Sequence, residues 1–116
     1  MIRIKILKLN KACTHEKLID YGFKKYGTSY KLIFPLYKYK DIPTISISFL
    51  VSFPDNYIGY DVIDNNSELL YFPYYDSEYS NKNKNIVLKK VISGVNKILC
   101  DMNRNKIIQY DRKDNV

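Results

Sequence analysis

Tryptophan is absent from this 116-residue chain, histidine occurs once and cysteine twice. A single histidine leaves no multi-histidine metal centre, and any Ser-His-Asp or Cys-His arrangement would have to recruit His15. Cys13, His15 and Cys100 together fall one ligand short of a four-coordinate zinc site. Gly22, Gly27, Gly59 and Gly94 are too scattered to cradle a phosphate, and no P-loop, G-x-G-x-x-G or G-x-S-x-G motif occurs. Long apolar runs are missing too, so no transmembrane helix and no membrane association are expected. The first ten residues, MIRIKILKLN, alternate charged and apolar side chains, unlike the continuous apolar stretch of a signal peptide. Without a C-x-x-C spacing or a secretory signal, reduced thiols and a cytoplasmic location are expected. No cofactor, metal or catalytic residue is expected.

Arginine is scarce, at 3 residues against 16 lysines. Lysine, asparagine, isoleucine and tyrosine make up 54 of the 116 residues, and all four are served by A/T-rich codons. Much of the formal charge of +7 therefore reflects codon bias. Lysine is a hydrated point charge and lacks the planar fork with which arginine grips phosphate or guanine, so the charge is a weak pointer to nucleic acid.

Its distribution says more. Residues 52–81 carry no lysine or arginine and six acids: Asp55, Asp61, Asp64, Glu68, Asp76 and Glu78. The same block holds Tyr57, Tyr60, Tyr71, Tyr74, Tyr75 and Tyr79, half of the chain's 12 tyrosines. An acidic, tyrosine-rich segment thus lies between two basic flanks.

Periodicity supplies the elements. Ile2, Ile4 and Ile6 alternate with Arg3 and Lys5 as in a half-buried strand. Thr14 is placed to cap a helix over 15–21, with Leu18 and Ile19 inward and Gly22 just past its end. A strand follows over 29–36, with Pro35 at its edge or end and a turn at 41–43. Ile45, Ile47, Phe49, Val51 and Phe53 line one face of a strand over 44–53, leaving Ser46 and Ser48 on a solvent face with Tyr57 and Asp61. Turns at 54–56 and 64–67 connect strands over 57–63 and near 69–72, and 73–85 reads as a polar loop. Leu88, Val91, Ile92, Val95, Ile98, Leu99 and Met102 form one stripe of a helix over about 85–103. Ile107, Ile108 and Tyr110 suit a short edge strand or a helix extension. The expected fold is a single α+β domain over residues 1–116. Its antiparallel sheet of four to five strands carries a short N-terminal helix and a long C-terminal helix on one face.

Asp61 and Asp64, three apart on a strand, point to opposite faces, so solvated hairpin acids are a better reading than a catalytic pair. The segments Tyr21-Gly22-Phe23, Tyr60-Asp61-Val62-Ile63-Asp64 and Leu70-Tyr71-Phe72-Pro73-Tyr74-Tyr75 resemble small prophage and mobile-element proteins of low-GC Gram-positive bacteria. That resemblance implies no activity and carries over no functional residue.

Tyrosine offers rigid amphipathic contact area at low entropic cost, and carboxylates among tyrosines favour a basic partner. The leading expectation is therefore a non-enzymatic protein-interaction module of phage or mobile-element origin. Its partner would be a host or phage protein with a basic surface; one version is an anti-CRISPR-like inhibitor of a host defence system. Docking would use Asp55, Tyr57, Asp61, Asp64, Glu68, Tyr71, Tyr74, Tyr75, Asp76 and Glu78. The alternative is a basic nucleic-acid-associated protein that binds through Lys89, Lys90 and Lys97 of the C-terminal helix.

Overall fold

Thr14 begins the first helix as its side chain suggests: its hydroxyl accepts the Lys17 amide at 3.2 Å in the computed structural model, which describes residues 4–76 and 86–112. The elements run β1 (Ile4–Leu9), α1 (His15–Tyr21), β2 (Lys24–Tyr26), β3 (Ser29–Tyr39), β4 (Ile42–Ser52), β5 (Tyr57–Asp64), β6 (Leu69–Leu70), α2 (Phe72–Tyr75), α3 (Ile86–Arg104) and β7 (Ile108–Arg112). Strands β2-β3-β4-β5-β6 form one antiparallel sheet in sequence order, and β1 pairs antiparallel with β7 in a separate ribbon. The α+β class with a five-stranded sheet, a short helix and a long C-terminal helix is as expected.

The membership of that sheet differs from the expectation. The N-terminal strand lies outside it, because the closing strand over 108–112 supplies its partner. The place is taken by β2, three exposed residues with no alternation to announce them, turned back on β3 through Gly27 at φ 61°.

By the density of its internal contacts the chain divides into two units. The first comprises the residues up to Leu32, Phe49–Gly59 and the residues from Leu99 onward. Helix α1 ends there in a glycine cap. Gly22 takes φ 121°, and the Phe23 amide reaches back to the Leu18 carbonyl at 2.9 Å. That cap folds Phe23 over Leu18, and both are buried with Phe49, Val51, Leu99 and Met102. Ile19, expected to face inward, is exposed, because a seven-residue helix buries a narrower stripe than two neighbouring positions. Helix α3 ends in a similar bend with Lys106 in the left-handed region at φ 61° and the Ile107 amide on the Met102 carbonyl at 2.9 Å.

Tyr21 donates its hydroxyl to Asp101 Oδ2 at 2.6 Å, tying α1 to the end of α3. Burial first, and then that carboxylate, push the Tyr21 phenol well above its ordinary value of 10.0. The folded state thus holds this proton more tightly than the unfolded chain. The resulting stabilisation is complete below about pH 10 and is lost as pH rises from there through the raised folded value. Tyr21→Phe is expected to flatten the alkaline decline of the urea midpoint; an unchanged decline would remove Tyr21 as its source.

The second unit comprises Ile33–Ser48 and Tyr60–Ile98. Ile45, Ile47 and Val62 are buried in it, together with Leu88, Val91, Val95 and Ile98 from the helix stripe. Gly94 admits Leu36: a methyl group there would meet Leu36 Cδ2 at 3.0 Å. The hairpin between β3 and β4 turns at Lys40 and Asp41, both left-handed at φ 51° and 66°, so Ile42 and Pro43 belong to the strand and not to the turn. Pro35 lies inside β3, four residues past the stretch that pairs with β2, which accords with the edge reading.

Ser46 does not remain in solvent; it is 4% exposed. Asn65 reaches over it, donating from Nδ2 to Ser46 Oγ at 3.0 Å and to the Pro43 carbonyl at 3.1 Å. Ser52, in the first unit, is buried as well and donates to Asp55 Oδ2 at 3.0 Å.

Candidate functional site

The acid–tyrosine block is distributed over both units. Asp55 and Tyr57 belong to the first, where Asp55 receives Ser52 in the turn and Tyr57 opens β5 half-exposed. The remaining described members belong to the second, and Glu78 and Tyr79 lie outside the described residues.

In the second unit the site is built on β5, the following turn, β6 and α2. Asp64 ends β5 and fixes the turn, its Oδ1 accepting the Asn66 amide at 2.9 Å while its carbonyl accepts the Glu68 amide at 2.8 Å. Glu68 closes that turn in the left-handed region at φ 62°, and its side chain is exposed. β6 then pairs for only two residues, Ile63 with Leu70 and Asp64 with Leu69. The expected strand near 69–72 stops there because Phe72-Pro73 begins a helical turn, replacing the start of the expected polar loop.

Helix α2 is anchored by its tyrosines. The Tyr74 hydroxyl lies 2.8 Å from that of Tyr60, and its ring is edge-on to Tyr75 at 5.1 Å. Tyr74 is only 8% exposed, which removes it from the surface proposed for a partner: its ring is spent on holding α2 to β5. The Val62 amide donates to the Tyr75 hydroxyl at 2.8 Å and the Tyr71 amide to the Val62 carbonyl at 2.8 Å, so α2 continues the hydrogen bonding that β6 leaves off. Burial pushes the Tyr75 phenol up, the Val62 amide opposes this, and Asp61 adds to the rise. Tyr75→Phe leaves the Val62 amide without that acceptor; a loss of about 1–3 kcal/mol and faster exchange of this amide are expected. Unchanged exchange would contradict the role.

Much of the segment's apolar surface is nevertheless exposed. Leu69, Leu70, Phe72 and Tyr75 are 69%, 54%, 60% and 45% exposed. Asp61 and Glu68 are exposed beside them in sequence, with Tyr71 and Asp76 half-buried. Sequence reasoning missed Leu69, Leu70 and Phe72. Their only signal was an apolar run without alternation, which reads equally well as a buried strand.

The remaining candidates have separate surroundings. Lys89, Lys90 and Lys97 are exposed on α3, with Lys90 Nζ 5.8 Å from the Tyr37 ring centroid. His15 Nδ1 is 2.7 Å from the hydroxyl of buried Tyr30. Burial pushes the Cys13 thiol up, against a smaller opposing effect of Lys17, so it stays protonated at neutral pH. Among the described residues no three His, Cys, Asp or Glu side chains converge on a point that could hold a metal ion. No helix among them is long and apolar enough to cross a membrane.

No protein-family model matches this chain, and no curated protein does. Among solved structures, a DUF1831 family protein from Lactobacillus plantarum is similar, with a TM-score of 0.69 over 90% of this chain and 86% of that one. At 13% identity the likeness speaks for the fold alone.

Proposed function

We propose that this chain is a non-enzymatic protein-interaction module that docks through the β6–α2 surface of its second unit. One observation carries the reading. Four large apolar side chains within seven residues stand open, in a stretch of sequence that holds acids and no lysine or arginine. Apolar anchors beside carboxylates suit a partner whose apolar pocket is rimmed by lysine or arginine.

Phage or mobile-element origin, with a host defence protein as partner, is the biological setting that fits this surface best. A groove that normally receives nucleic acid offers cations, and Asp61, Asp64 and Glu68 would meet them as phosphates do. Only this segment could act so, because the chain as a whole is basic. Charge reversal at Asp61 and Glu68 is the test: the partner is lost if the reading is right, and unchanged affinity ends it.

A further inference from the structure

A second surface lies wholly within the first unit and has the opposite character. The β1–β7 ribbon and the turn before β5 border a cleft of about 580 Å³, within the size range of small-molecule sites. Lys8 and Lys11 supply its charge, Asn56 and Gln109 its carboxamides, and Tyr57 its aromatic ring. Among the described residues that line it there is no carboxylate. Leu9 and Ile58, both buried, also border it.

Four of these polar groups are placed by the backbone. Lys8 and Gln109 are cross-strand partners, so their side chains leave the same face of the ribbon. Asn56 takes the left-handed region at φ 50°, with its amide on the Phe53 carbonyl at 3.0 Å, and this turn delivers Tyr57 to the cleft. The Tyr57 ring extends over Gly59, where an added methyl group would come within 2.7 Å of Tyr57 Cζ. Glycine at 59 is therefore what gives the ring its berth.

We propose that this cleft binds an adenine nucleotide unit, with the phosphate between Lys8 and Lys11 and the base against Tyr57. Two cations, with no carboxylate among the described lining residues, call for a multiply charged anion. An aromatic ring beside carboxamides calls for a planar group with hydrogen-bonding edges, and asparagine and glutamine are the side chains that pair with both adenine edge groups. Free nucleotide and a nucleotide within a single strand share this chemistry.

The test is an NMR titration of the whole chain with AMP, adenosine and inorganic phosphate at low salt. AMP is expected to shift the Lys8, Lys11, Tyr57 and Gln109 amides and to bind more tightly than either fragment. Lys8→Glu/Lys11→Glu should weaken AMP by about ten-fold or more, the scale of a lost charged hydrogen bond. Gly59→Val, which displaces the ring, should weaken AMP and leave phosphate unchanged. A single-stranded deoxyadenosine oligomer that binds more tightly than AMP assigns the cleft to a strand; one that does not assigns it to free nucleotide. Cleft amides unmoved by AMP up to about 10 mM, weaker than any affinity a built site should show, would overturn the proposal. So would a lysine double variant that binds as the wild type does.

Discussion

Phe49→Ala is expected to remove about 3–5 kcal/mol of stability, the usual cost of deleting a buried aromatic ring. Domains of this size hold about 5–15 kcal/mol in total, so the variant should sit near the edge of unfolding. The ring is 0% exposed, and its centroid lies 6.4 Å from that of Phe23, which the glycine cap of α1 holds in place. Removing it leaves a void beside a residue whose position is fixed by backbone hydrogen bonds, so little collapse can relieve the loss. Urea unfolding measures this directly. Leu69→Ala, at a side chain 69% exposed, should change stability by less than about 0.5 kcal/mol. Equal losses in the two variants would mean that Leu69 is a core residue and not part of an open surface.

The second large effect concerns binding. Reversing Asp61 and Glu68 to lysine puts like charges against a basic partner, which costs several kcal/mol, on the order of a hundred-fold or more in affinity. Both side chains are exposed, so the fold should tolerate the change. Asp64 is unsuited to reversal, because its carboxylate also holds the turn through the Asn66 amide. Asp64→Asn keeps an acceptor there and removes only the charge.

Local chemistry was legible wherever a short stretch decides its own conformation. The Thr14 cap, the Gly22 terminus, the inward face of β4 and most of the α3 stripe all follow from capping residues and periodicity. What distant segments decide was not legible. Nothing near Ile4 indicates that its strand pairs with Arg112 in place of the main sheet, because the first segment reads as an ordinary half-buried strand and the last as a short edge strand or a helix extension. Ser46 looks solvent-facing by alternation, yet it is buried and accepts a hydrogen bond from the returning Asn65. The acid–tyrosine block was visible as composition, yet composition could not separate Tyr74, an internal strut, from Tyr75, whose ring is half open while its hydroxyl serves Val62. Tyr57 was grouped with the acids by sequence; its wall of the cleft is shared with Lys8 and Lys11.

Affinity capture from a bacterial lysate, with the partner then purified and titrated, tests the docking surface most directly. Three immobilised chains are needed: wild type, Asp61→Lys/Glu68→Lys, and Lys89→Glu/Lys90→Glu/Lys97→Glu. The account predicts one protein held by wild type and by the lysine variant and lost from the acid variant, with the purified partner reproducing that order. A partner held equally by the acid variant, or nucleic acid recovered on wild type and lost only from the lysine variant, would contradict it.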